Sequence, residues 1–518
     1  MTDHTDHTEE CDAPPMARKT GSFQLSTSDE SHSLDPPHTI LTNTERGYLA
    51  GLVSLMTLCS ALNTPIYWVA LPEMQTEFHI TEQQSNLTVT VYLVFQAISP
   101  LFFCTLADYI GRRPVVLYCL LGCAAFNIGL AVCKSYGVML FLRSLLAVHG
   151  SPFAAISSAI VGDFTTRKDR GGLIGMTMGF TLIGIGIAPF IGACLDSRWR
   201  WRGIFWFSAA FNGLVLLLAA IFYPETRRTI VGNLGIAPKS WIHKSPVIYM
   251  LGIGRVSAQE NGSREEKQQM SFNPITTLAL MRDPLVLFAL FPNSIVYSGW
   301  TSSQATLTTA LTLEYHYSPM KVGLCYFASG VACFLSTFTF GKLLNVAYRK
   351  AKEKQTEGRA VGTADPTGAL ATTATPLPPL NIIRVRMSYF QATNVVVIAT
   401  ITIFGWAIYR KWNIAVILVV SFLLTFCGMY PQMASSTLLV DMYPERSGAI
   451  SSLNNLTRCG LASIFVSCLT LMNNAMTVGG TYSFMAGLCL LCGISVPFIF
   501  SYSDKILNRR QDEPVEGI

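Results

Sequence analysis

Three ionisable side chains stand inside long apolar runs of this 518-residue chain: Arg143, His149 and Arg458. An ionisable group surrounded by hydrocarbon is costly, and by default it marks a function. The central parts of the same runs contain no Asp or Glu. Arg does not release its proton at ordinary pH. His149 is therefore the one embedded group that titrates near neutrality, which makes it the embedded proton-coupling candidate, with the carboxylates Asp108, Asp163 and Asp441 outside the runs as the alternative. The plain alternative is a neutral His hydrogen-bonded within a bundle. Arg143 and Arg458 offer fixed positive charge to a ligand, or else tie neighbouring helices through backbone carbonyls. Asn454 and Asn455 precede Arg458 in the run NNLTRC and form a polar cluster with it. Asn63 and Tyr67, then Gln96, then Asn293, Trp300 and Gln304 bring a polar and aromatic mixture into three further apolar runs. Such a mixture suits an amphipathic organic ligand.

The elements that carry these residues follow from composition. Half the chain is hydrophobic and 13% is charged, with a mean hydropathy of +0.39. Soluble domains carry about 25% charged residues. The deficit excludes a soluble enzyme, a nucleic-acid binder and a disordered chain, and it points to lipid as the main solvent. A spanning helix needs about 20 mostly apolar residues. Twelve stretches qualify: 47–71, 86–106, 115–133, 138–162, 172–195, 203–223, 285–311, 319–345, 387–409, 413–437, 447–472 and 479–502, here helices 1 to 12. At 1.5 Å per residue, His149 and Arg458 lie roughly 16–18 Å from their helix starts, near the midplane. Arg143 is about 8 Å from a membrane face, within snorkelling reach.

The domain reading is a disordered cytosolic tail (1–46), a six-helix bundle (47–223), a central cytoplasmic loop (224–284), a second six-helix bundle (285–502) interrupted by a flexible cytoplasmic loop (346–386), and a short cytosolic tail (503–518). Lys134, Arg198, Arg200, Arg202, Lys321, Arg410 and Lys411 fall on one side, and Arg143, Lys342 and Arg458 fall within helices. The remaining 27 of the 37 Lys and Arg residues collect on the side of the N-terminus. That asymmetry predicts both termini in the cytoplasm. The trio Arg198, Arg200 and Arg202 runs against it. The 14 cysteines sit mostly in apolar runs and read as small hydrophobes rather than a disulfide framework. No metal-ligand spacing and no nucleotide-binding loop is present, so neither a cofactor nor ATP hydrolysis is expected. Asn86 heads a glycosylation sequon close to the bilayer and is expected to be unused.

The stretch LADYIGRRPV (106–115) resembles the loop 2–3 motif of the major facilitator superfamily. GIGIAPFIGACL in helix 5 resembles that superfamily's antiporter motif, with Ala188 and Ala193 in place of two glycines. YPETRRTIVGN and DMYPERSGAISSLNNLTRCG resemble a narrower branch, the fungal twelve-span drug:H+ antiporters, together with spore-wall-precursor and organic-acid exporters. The resemblance covers residues 45–503. It implies an all-α fold of two pseudo-symmetric six-helix bundles, with a central cavity lined by helices 1, 4, 7 and 10. The expected cavity residues are Asn63, Tyr67, Gln96, Arg143, Asn293, Trp300 and Gln304. Asp108, Gly111, Arg112 and Arg113, with Asp163 and Arg170 across the turn, are expected to gate it. Gly184, Gly186, Pro189 and Gly192 are expected to pack closely as the antiporter motif.

The function that follows is secondary transport rather than catalysis: proton-coupled export of small organic compounds or drugs by alternating access. Export of organic anions such as carboxylates is an alternative within transport, favoured by embedded basic groups without acids. A non-transporting solute sensor is the alternative of another class. The expected setting is the plasma membrane, or else the vacuolar one. The expected partners are the substrate, protons and lipid, with the chain acting as a monomer.

Overall fold

A computed structural model describes residues 39–165, 170–236, 238, 240–246, 275–362, 381–443 and 447–512. Among these, nine helical stretches are long and apolar enough to cross a membrane. Two of them are double. Arg170–Phe222 breaks at Arg200 (φ 60°), and its end returns to where it began, since Arg113 donates to the Ala219 and Ala220 carbonyls. Ser447–Asp512 breaks at Thr477 (φ 64°) in the same way. A further helix, Pro284–Leu313, has spanning length. Its run Ser294, Ser298, Thr301, Ser302, Ser303 and Gln304 lowers its hydropathy, and all six are buried inside the protein. Among the described residues the passes thus number twelve: helix 1 (Asn43–Phe78), 2 (Glu82–Ile110), 3 (Arg112–Val132), 4 (Tyr136–Phe164), 5 and 6 (the two arms about Arg200), 7 (Pro284–Leu313), 8 (Pro319–Gly362), 9 (Phe390–Tyr409), 10 (Ile414–Met442), and 11 and 12 (the two arms about Thr477).

Local chemistry explains several boundaries. Thr42 and Glu45 form a capping box that starts helix 1 at Asn43, ahead of the predicted 47. Thr81 and Gln84 do the same for helix 2. Gly111 (φ 117°) turns the chain between helices 2 and 3 in a conformation a side chain would strain. Helix 1 changes to a 3-10 turn at Pro65–Ala70 and resumes as Leu71–Phe78. Helix 8 continues to Gly362, so the stretch 346–362, expected to be flexible, is helical. Its run AYRKAKEKQTEG is rich in good helix formers and lacks Pro. Helix 12 likewise runs to Asp512, past the predicted 502. The predicted N-terminal tail lies outside the described residues up to 38.

The loop carrying Arg112 and the segment carrying Glu73 lie at opposite ends of helix 2, and they name the two ends of the molecule below. The two bundles meet along helices 2 and 11. Asn86 donates to Thr470 near the Glu73 end, Asn455 donates to the Gln96 carbonyl midway, and Ser452 donates to the Pro100 carbonyl further on. Asn86 is therefore buried and engaged, which leaves no room for a glycan.

Candidate functional site

Between the bundles lies a cavity of about 130 Å³. Helix 1 contributes Thr64 and Trp68, helix 2 Gln96, helix 5 Thr177 and Thr181, helix 7 Tyr297 and Trp300, helix 10 Gln432 and Ser436, and helix 11 Asn454, Asn455 and Arg458. Trp68 closes it towards the Glu73 end, edge-on to Trp300 at 6.0 Å and tilted against Tyr326 at 6.4 Å. The lining then runs towards the Arg112 end as far as Leu439 and Ile450. Arg458 is the one charged residue in the lining. Its guanidinium lies 4.5 Å over the Tyr297 ring and donates to Asn455 Oδ1 at 2.8 Å, while its buried Nε has no partner. Asn454 accepts from Asn293 at 3.1 Å and donates to Ser436 at 3.0 Å. The run NNLTRC thus fastens helices 2, 7, 10 and 11 around one arginine.

Of the expected cavity residues, Gln96 and Trp300 reach the lining, and Arg458 with its two asparagines joins them. Asn63, Tyr67, Arg143, Asn293 and Gln304 stand behind the wall instead. Arg143 does not snorkel. It is fully buried, 4.0 Å from the Tyr67 ring centroid and 4.6 Å from that of Tyr92, and donates to the Asn63 carbonyl at 3.3 Å. Two aromatic faces compensate a charge that lipid would not. The Tyr326 hydroxyl donates to the backbone carbonyl of Gln304.

His149 also faces away from the cavity. Its ring packs among Phe103, Tyr118 and Phe126, with centroids 6.0, 5.1 and 5.0 Å away, and its Nδ1 meets the Leu145 carbonyl at 2.8 Å. A Cβ on Gly122 would lie 2.3 Å from the imidazole, so a glycine on helix 3 makes the room. The geometry is that of a histidine satisfied within the bundle, against helix 3.

At the Arg112 end the structure gathers Asp108, Arg112 and Asp163. Arg112 pairs with Asp108 and, through Nε at 3.2 Å, with Asp163. Sequence reasoning missed the centre of this cluster, the buried Glu225. Its carboxylate accepts the backbone N–H of Arg112 at 2.8 Å and of Arg113 at 3.2 Å, capping helix 3, and meets His243 Nδ1 at 2.8 Å. Arg113 donates to the Ala219, Ala220 and Tyr223 carbonyls at the end of helix 6 and to that of Ile242. Every contact named here lies within residues 108–243, so the cluster binds the first bundle to the central loop. The side chain of Arg170 lies outside the described residues. The second bundle has a thinner counterpart, Arg386 with Asp441 at 2.8 Å.

The helix 5 glycines are sites of close approach. A Cβ on Gly184 would meet Ala61 of helix 1 at 2.8 Å, one on Gly186 would meet the Gly330 backbone of helix 8 at 2.7 Å, and one on Gly192 would meet the Ile66 carbonyl at 2.2 Å. Ala193, in place of a glycine, faces Gly323 of helix 8, where a Cβ would lie 2.1 Å away. The glycine that makes this approach possible stands on the opposite helix. A Cβ on Gly323 would also lie 3.5 Å from the Pro189 carbonyl.

Comparison with known proteins agrees with this architecture. Residues 53–467 match the Major Facilitator Superfamily. The chain is 35% identical over 483 residues to the "Probable transporter AQR1" of Saccharomyces cerevisiae, covering 90% of this chain and 80% of that one. It is 32% identical to the "MFS antiporter QDR1" of Candida albicans, covering 94% of each. It is 29% identical to "Citrate exporter 1" of Aspergillus niger, covering 90% of this chain and 87% of that one. Among solved structures, the human organic anion transporter MFSD10 shares the fold with a TM-score of 0.53 at 16% identity, covering 89% of this chain and 100% of that chain.

Proposed function

The chain belongs to the Major Facilitator Superfamily, and from that premise we propose that it exports small amphipathic organic compounds in exchange for protons, by alternating access at the cavity around Arg458. The observation that carries this reading is the lining itself: Trp68, Tyr297 and Trp300 offer ring faces, and Gln96, Gln432, Asn454 and Asn455 offer adaptable hydrogen bonds. Such a wall binds many flat or mixed-polarity molecules. Relatives named as a multidrug transporter and as an antiporter support it. The basic side faces the cytoplasm in this reading, as the loop charges predict, and the membrane is the plasma membrane.

A second reading, export of organic anions, is favoured by one specific observation. The single charge in the wall is positive, and its Nε lacks a partner. A carboxylate would meet that group well. A relative named as a citrate exporter agrees. Radiolabelled efflux decides between them, from a deletion strain with and without the gene restored, with cationic drugs and di- or tricarboxylates run side by side, each with and without a protonophore. Efflux of both classes that ignores the protonophore would sink proton exchange. Efflux of carboxylates alone would establish the second reading.

A further inference from the structure

Behind the cavity wall stands a buried charge whose partners include no acid. Arg143 is 0% exposed, and a guanidinium keeps its proton at ordinary pH. Its contacts with Tyr67 and Tyr92 are ring faces, and its Nη1 donates to the Asn63 carbonyl. Its Nε and Nη2 are buried and have no acceptor among the described residues. The side-chain amide of Asn63 shares that lack: its Nδ2 is buried without an acceptor. A ring face attracts the cation, but it is a weak acceptor for the N–H groups themselves. Buried donors left unanswered are costly, a charged one most of all. The two side chains thus offer only donors, and the acceptor that answers them both best is an anion.

The fold makes room beside them. Gly150 follows Arg143 by seven residues, two turns further on the same face of helix 4. A Cβ on Gly150 would lie 3.1 Å from Asn63 Nδ2, 3.5 Å from Cys123 Sγ and 3.6 Å from the Tyr92 hydroxyl. The glycine therefore leaves a notch about one atom wide, edged by the unanswered amide, a thiol and a hydroxyl. Asn63 joins the notch to the guanidinium, because its carbonyl holds Arg143 while its amide edges the notch. A carboxylate or a phosphate is too large for such a place, whereas a halide is a single atom. We propose that Asn63, Arg143 and the Gly150 notch form a binding site for one chloride ion. The ion neutralises Arg143 and ties helix 1 to helix 4. Thr64 follows Asn63 directly, Gln96 follows Tyr92 by one turn, and both line the cavity, so the ion braces that wall from behind. Asn63, Arg143 and Gly150 are not part of the lining, and the site stands whichever substrate is moved.

The test uses the full chain purified in detergent. Thermal unfolding is followed at constant ionic strength in sodium chloride, bromide or gluconate. The midpoint should rise when chloride or bromide replaces gluconate, and the rise should saturate, as binding to the folded chain requires. Asn63→Asp places a resident carboxylate beside Arg143; it should stay folded and lose the halide dependence. Gly150→Ala, which fills the notch, should lose it too, while Arg458→Lys in the cavity wall should retain it. Crystals grown in bromide should show the anomalous signal of bromine between Arg143 and Asn63. Equal midpoints in halide and gluconate, a rise that persists in Asn63→Asp, or a bromine signal at Arg458 instead overturns the proposal. A larger rise with acetate than with chloride overturns the halide assignment.

Discussion

Gly186 and Gly330 touch backbone to backbone across the two bundles, with a built Cβ on either one falling 2.6–2.7 Å from the other's main chain. A pivot between rocking halves needs such an approach, because side chains there would hold the helices apart. Gly186→Leu is expected to leave the protein in the membrane and to cut efflux. Overpacking of ~1–3 kcal/mol moves a two-state ratio by roughly five- to hundred-fold. Efflux per membrane-inserted molecule measures it, and Gly330→Leu should behave alike.

Glu225 is the hub that caps helix 3 and holds His243. Glu225→Ala leaves the Arg112 and Arg113 N–H groups unanswered in a buried place. The expected loss is about 1–3 kcal/mol of stability, read as lower thermal stability of the purified chain in detergent. Glu225→Gln should retain part of it, since its carbonyl still accepts. Equal stability in both variants and the parent would remove Glu225 from this role.

Substitution of Arg458 distinguishes the two substrate readings. Arg458→Lys keeps the charge but loses the planar fork and its stacking on Tyr297. Apparent affinity for carboxylates should fall about ten-fold, or 1.4 kcal/mol, with a smaller change for cationic drugs. Matching losses for both classes would show that the residue only braces Asn455 and Tyr297.

His149→Gln should leave pH-driven flux unchanged in vesicles, because the imidazole sits in an aromatic nest rather than in the cavity wall. A collapse of that flux would restore His149 as the proton carrier.

The sequence made the helices, the loop 2–3 cluster and the glycine approaches of helix 5 legible, since hydropathy and small-residue spacing are local signals. What lay beyond it was direction around each helix. Arg143 and Arg458 look alike in sequence, yet one is walled off by Tyr67 and Tyr92 and the other opens on the cavity. Glu225 was hidden because the two N–H groups that it caps are more than 100 positions away in the chain. The same holds for Glu73 and Glu77, which answer the arginines of a turn over 120 residues later. One signal was available: two acids four apart at a helix end, facing a turn whose basic charge had no other explanation. On helix 10, Gln432 and Ser436 have the same four-residue spacing and do line the cavity.

Arg143 also bears on the order of assembly. An unshielded arginine costs about 2.5–3.5 kcal/mol at a helix centre on insertion scales, and Arg143, nearer one face, bears part of that cost. Its shield consists of Tyr67 from helix 1 and Tyr92 from helix 2, and its one acceptor is the Asn63 carbonyl of helix 1. All three precede helix 4 in the chain and leave the ribosome first. The groups that shield Arg143 are thus all made before helix 4 itself.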